Sequence, residues 1–187
     1  MEDLKVVVEM LLFVSDVPIA VDRFRDVLGD VDRKEILRVL SDLRREYEER
    51  NGGFQVAEVA GGFQFRTRPD LNHWIRKFRG SRPPSLSPAA LETLAVIAYR
   101  QPVVKADIDR VRGVDVSGAL KRLLEKKLVK MVGRKDLPGK PIMYGTTKRF
   151  LEVFGLRDLT ELPTLQELKE LQEKPGAPQL PGFEMPE

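Results

Sequence analysis

The stretch Asn51-Gly52-Gly53-Phe54-Gln55-Val56-Ala57-Glu58-Val59-Ala60-Gly61-Gly62-Phe63-Gln64-Phe65-Arg66 decides the reading of the fold. Phe54 and Val56 alternate with Gln55 and Ala57, and Phe63 and Phe65 with Gln64 and Arg66, a period of two that marks half-buried strands. Gly61-Gly62 lies between the runs, so the stretch reads as a β-hairpin. Upstream, Ile36, Leu40, Leu43 and Tyr47 fall on one helical stripe, and Asp32 with Glu35 three residues on is a capping-box signal for its start. A short helix over 21–28 stops at Gly29, and Leu4, Val7, Val8, Leu11 and Leu12 mark a helix over 2–14. Downstream, Pro69 introduces a helix from Asp70 to Phe78 bearing Trp74.

The same order returns after Gly80-Ser81-Arg82-Pro83-Pro84-Ser85, a linker by composition. Ser87-Pro88 is an N-cap with Pro at the first helical position, and Leu91, Leu94 and Ala98 are the expected inner stripe. A short helix over 104–111 follows Pro102. A third helix from Val116 carries Leu120, Leu123 and Leu124. Leu128–Val132 and Ile142–Thr146 read as strands joined by a Gly133–Pro141 loop, and Thr147 starts a last helix through Phe150, Leu151 and Phe154. Three helices followed by a β-hairpin is the winged-helix plan. The expected fold is mainly α with small β-hairpins (α+β), two winged-helix domains in tandem. Domains are placed at 1–80 and 87–156, with a linker at 81–86 and a tail at 157–187. The tail holds Leu159, Leu162, Leu165, Leu168 and Leu171. Thr164 and Glu167 form another capping box, predicting a short helix over 165–173 before a Pro/Gly-rich, largely disordered end.

Charge divides the chain in the same places. Among 187 residues, 1–81 carry 14 Lys/Arg against 15 Asp/Glu, 82–157 carry 16 against 7, and 158–187 carry 2 against 7. A near-neutral front, a basic middle and an acidic tail suggest modules with separate partners. No apolar run approaches the ~18 residues of a membrane span. The Met1-Glu2-Asp3-Leu4 start is acidic where a secretory signal is basic. A soluble cytoplasmic protein without membrane contact is expected.

Chemistry is sparse. With no cysteine and one histidine, the chain has no thiol nucleophile, no thiolate metal site and no two-imidazole constellation. The Gly133–Lys140 loop has five residues between its glycines and Pro141 after the lysine, so it departs from a phosphate loop. It reads instead as a basic wing tip. Together with the third helix of the second unit, the wing offers Lys121, Arg122, Lys126, Lys127, Lys130, Arg134, Lys135 and Lys140. Such a face meets DNA phosphates, an acidic protein, or solvent alone. The helix lacks an Asn/Gln/Arg cluster suited to base edges. No catalytic residue, cofactor or metal site is expected.

Several blocks resemble the bacterial segregation and condensation protein B family, ScpB. In the front half they are Glu9–Ser15, Val59–Phe63 and Arg66–Pro69. In the second half they are Leu86–Tyr99, Gln101–Val103, Val111–Val114, Gly133-Arg134, Gly139–Pro141, Tyr144, Thr146-Thr147, Phe150-Leu151 and Phe154–Leu156. The family usually has Arg where Lys140 stands and Glu where Asp107 stands; both changes keep charge, though Lys loses bidentate pairing. The resemblance implies a non-enzymatic subunit, two winged helices per chain, and a homodimer paired through the N-terminal unit. It also implies binding to the kleisin ScpA, which bridges the Smc ATPase heads, in a nucleoid-associated complex for chromosome condensation and partition during cell division. The alternative is a winged-helix DNA-binding transcriptional regulator, and weak non-specific DNA contact fits either reading. Val6, Phe13 and Phe24 are expected to exceed what the first unit's core holds and so to serve the dimer. The candidate partner-binding residues are Tyr99, Arg100 and Gln101 at the end of the 87–99 helix, and Arg134, Lys135 and Lys140 on the wing.

Overall fold

The computed structural model describes residues 3–80, 86–164 and 166–167. The chain divides into two compact units. The first holds the described residues up to Gly80 together with the return segment Gly155–Asp158, and the second holds the rest. Of the tail helix expected over 165–173, only 166 and 167 lie within the described residues. The linker, apart from Leu86, lies outside them as well.

In the first unit, α1 (Leu4–Val14), α2 (Val21–Leu28) and α3 (Arg33–Glu49) precede a hairpin of β1 (Phe54–Val59) and β2 (Gly62–Thr67). A turn of 3-10 helix at Pro69–Leu71 leads into α4 (Asn72–Arg79). Asp3 caps α1 through the Lys5 amide at 3.0 Å, and Asp32 caps α3 through the Lys34 amide at 3.2 Å. Each carboxylate satisfies one of the amides a helix start leaves unpaired. The core gathers Val8, Leu12, Phe24, Val56 and the whole α3 stripe of Ile36, Leu40, Leu43 and Tyr47. Phe24 is fully buried. It belongs to the core, because the moment of the short α2 turns Val21 and Phe24 onto α3 together. The hairpin pairs Val56 with Phe65 and Glu58 with Phe63, and Ala60-Gly61 turns it with both residues at positive φ (52° and 72°). That is the turn geometry a two-residue hairpin favours. The tip is held by the return segment: the Ala60 and Gly61 amides donate to the Leu156 and Arg157 carbonyls at 2.9 and 3.0 Å. Ile19 exchanges two backbone bonds of 2.9 Å with Phe63, fixing the α1–α2 connection on β2.

The second unit repeats the helical order with an extra strand. It contains α5 (Pro88–Arg100), β3 (Val103–Val104), α6 (Lys105–Arg112), α7 (Ser117–Glu125), β4 (Val129–Arg134), β5 (Ile142–Thr146) and α8 (Lys148–Phe154). The sheet order is β3-β5-β4, antiparallel throughout, with a bulge in β4 between Met131 and Gly133. Ser87 caps α5 through the Ala90 amide. α5 buries Ala90, Thr93, Leu94, Val96, Ile97 and Ala98. Leu91, expected inside, is 42% exposed. Thr93 is buried because its hydroxyl donates to the Ala89 carbonyl at 2.8 Å, so no polar atom is stranded. Ile108 of α6, Leu120 and Leu123 of α7, Leu128, Val129, Tyr144 and Phe150 complete this core. Asp109 holds α6 to the start of α7, accepting from the Val116 amide at 2.9 Å and from Lys105 at 2.7 Å. The bonds from Lys105 and Val116 draw its pKa below the ordinary carboxylate value.

Candidate interaction surfaces

The six candidate partner-binding residues fall into two groups. Tyr99 and Arg100 form the last turn of α5, and Gln101 follows as its cap. Tyr99 is 38% exposed, and its hydroxyl donates to the Pro163 carbonyl at 2.7 Å. Partial burial, with the charge of Glu167, raises its pKa. Thr164 and Glu167 cap each other beyond it, with the Thr164 amide and hydroxyl donating to the Glu167 carboxylate at 2.6 and 2.8 Å. Arg100 is exposed. Gln101 is turned inward: its side-chain oxygen accepts from the Thr146 amide at 2.7 Å and hydroxyl at 3.0 Å, and its amide donates to the Ala98 carbonyl at 3.1 Å. These bonds tie the end of α5 to the end of β5.

Arg134, Lys135 and Lys140 sit at the other end of the sheet, all exposed. Arg134 closes β4 opposite Ile142 and donates to the Lys140 carbonyl at 3.1 Å. The loop is a closed turn, with the Lys135 amide on Pro141 and the Lys140 amide on Leu137, each at 2.8 Å. Lys135 reaches Asp107 at 3.9 Å. Four residue steps of β5 lead from Ile142 to Thr146, roughly 13 Å of strand. The two groups are therefore separate patches of one unit.

Apolar exposure adds surfaces that the residue pattern only partly signalled. On α1, Val6, Met10, Phe13 and Val14 recur at helical spacing on the side away from Val8 and Leu12, and Phe13 is 76% exposed. A helix apolar on both sides has a second face to cover. On α4, which buries no residue, Trp74 is exposed and Phe78 is 92% exposed. Lys77 lies 5.5 Å from the Trp74 ring centre, in cation–π range. On β4, every residue after Val129 is exposed, Met131 at 59%. Among the described residues no cluster of three or more His, Cys, Asp or Glu could hold a metal ion. None of their helices is long and apolar enough to cross a membrane.

Two small helical units that carry paired strands and display apolar and basic faces are the build of an interaction subunit. The family profile described as "Segregation and condensation complex subunit ScpB" matches residues 6–165. The segregation and condensation protein B of Syntrophotalea carbinolica is 48% identical over 169 residues, covering 90% of this chain and 85% of that protein. That of Moorella thermoacetica is 44% identical over 172 residues, covering 92% and 88%. The crystal structure of ScpB from Mycobacterium tuberculosis is similar at 34% identity with a TM-score of 0.39, covering 83% of this chain and 96% of that one. The chain belongs to the ScpB family of chromosome segregation and condensation subunits.

Proposed function

We propose that the chain works as a non-enzymatic, homodimeric subunit of a condensin-like complex, binding the kleisin ScpA and through it the Smc ATPase. Each unit is read as a winged helix, with α1–α3 and the β1–β2 hairpin in the first and α5–α7 with β4–β5 in the second. The family match over residues 6–165 carries the reading. Two surfaces support its division of labour. The outer apolar face of α1, on a unit of near-zero net charge, suits pairing with a second copy, which a strong charge would repel. The stretch 82–157, which holds α5 to α8 and carries nine more Lys/Arg than Asp/Glu, suits an acidic partner. There Tyr99, Arg100, Arg134, Lys135 and Lys140 meet the partner, while Gln101 holds the α5 end in place behind them. Working in the cytoplasm on the nucleoid, the subunit contacts DNA at most weakly and without sequence preference.

The test reverses charge at Arg134 and Lys140 together in the full chain. Surface reversals leave stability within about 0.5 kcal/mol. The variant is expected to remain a dimer by light scattering and to retain ScpA measurably less well. Unchanged ScpA affinity at low and physiological salt removes the wing from the partner surface. Tight, sequence-dependent binding to duplex DNA replaces this reading with that of a transcriptional regulator.

A further inference from the structure

We propose that the free edge of β4 accepts an extended acidic segment of a protein partner as an added β-strand. This deepens the partner-binding role given to the second unit and rests on that reading. Among the described residues the sheet order β3-β5-β4 leaves β4 with one neighbour only. Which backbone groups face outward follows from the ladder. The Thr146 amide bonds to Gln101 and the Thr147 amide to the Leu128 carbonyl, so Val129 and Thr146 face each other without exchanging bonds. Antiparallel pairs alternate, which makes Lys130 with Gly145 a bonded pair and Met131 with Tyr144 an unbonded one. At the far end, the Lys135 amide bonds to Pro141, so Arg134 with Ile142 is again unbonded. Met131 and Arg134 therefore turn their N–H and C=O groups away from β5, towards the open edge.

Open edges invite pairing with any strand, and proteins commonly blunt them with lysines and bulges. Here Lys130, Arg134, Lys135 and Lys140 surround the edge and the bulge at Val132 twists it. These cations repel a second copy of the same basic edge, yet they attract a strand carrying carboxylates. DNA phosphates would account for the cations alone. They would not account for Met131 and Val132, two large apolar side chains left in solvent on the same strand. A segment alternating acidic and apolar residues meets both, and strand addition supplies main-chain bonds with side-chain selectivity on alternate positions.

The experiment follows amide hydrogen exchange by NMR in the full chain, titrated with an alternating Glu/Val peptide, an alternating Lys/Val peptide and a short DNA duplex. The Glu/Val peptide is expected to slow the Met131 and Arg134 amides about tenfold or more, leaving Lys130, already bonded to β5, little changed. The Lys/Val peptide should do neither. Met131→Pro removes an outward N–H that the native ladder does not use. It should weaken the Glu/Val peptide about tenfold, the loss of one backbone bond, whereas Met131→Leu retains binding. The exchange pattern stands as a test even if the proline variant does not fold. The proposal is overturned if the Glu/Val peptide does not bind, or binds without protecting those two amides. It is equally overturned if only the duplex protects them. ScpA retention by the charge-reversed chain is read separately, so strand addition and partner assignment fail by different results.

Discussion

Replacing Gln101 by alanine separates a structural role from a surface role. The substitution removes three hydrogen bonds, of which the 2.7 Å bond from the Thr146 amide matters most. Thr146 is buried, and its amide has no strand acceptor in the β3-β5-β4 sheet because β3 begins only at Val103, which pairs with Tyr144. A buried donor left without a partner costs about 1–3 kcal/mol. The Thr146 hydroxyl bond to the same oxygen is longer, at 3.0 Å, and its loss adds less. A net loss of about 2 kcal/mol is expected, and in a domain of this size that lowers Tm by roughly 8–16 °C. Far-UV circular dichroism melting of the full chain reads it directly. Thr146→Val completes a double-mutant cycle, and a coupling above about 0.5 kcal/mol would place the two side chains in one unit. The reasoning is refuted if Gln101→Ala melts with the wild type while losing ScpA affinity. Gln101 would then touch the partner itself.

Three further results are expected. The Tyr47 hydroxyl donates to Glu9, and this bond, with burial and the Glu9 charge, pushes its pKa up to about 12. The neutral phenol is favoured in the folded state, so its contribution is complete below pH 10.0 and is lost as pH rises from there towards 12. Tyr47→Phe should flatten that alkaline loss and remove from the tyrosinate absorbance the component titrating towards 12. Gly62→Ala places a Cβ 2.8 Å from the Ile19 carbonyl carbon and oxygen. Because that backbone is pinned to Phe63, urea denaturation should show a loss of about 1–3 kcal/mol. Asp109→Asn should weaken the loss of stability seen as pH falls below 3.8, since the carboxylate's lowered pKa makes its bonds to Lys105 and Val116 a contribution present above that value.

The helices that bury a clean stripe were legible in the sequence to within a residue or two. In α3, Ile36, Leu40, Leu43 and Tyr47 are apolar where their neighbours are charged, so the buried face has contrast. α5 lacks that contrast. It is apolar around most of its circumference, and spacing alone placed Leu91 inside while passing over Thr93. β3 escaped notice because two residues after a proline show no alternation. Tyr99, Arg100 and the wing residues were visible as unusual residues at element ends. Their geometry was not, because the inward turn of Gln101 depends on an amide 45 positions away. The open edge of β4 was equally hidden, since which amides face outward is a property of pairing rather than of side chains.

The return segment has a consequence for how the molecule comes into being. A ribosome releases the chain from its N-terminus, so α1, α2, α3 and the hairpin emerge early. The acceptors for the Ala60 and Gly61 amides belong to Leu156 and Arg157 and are made roughly a hundred residues later. All of α5 to α8 must leave the exit tunnel before the hairpin tip acquires its last two bonds. Along the chain α5 to α8 of the second unit are inserted between the two segments of the first. The hairpin tip, among the earliest parts to emerge, is therefore finished only after α8, and a ribosome stalled before Leu156 would display it with those two tip amides open to water.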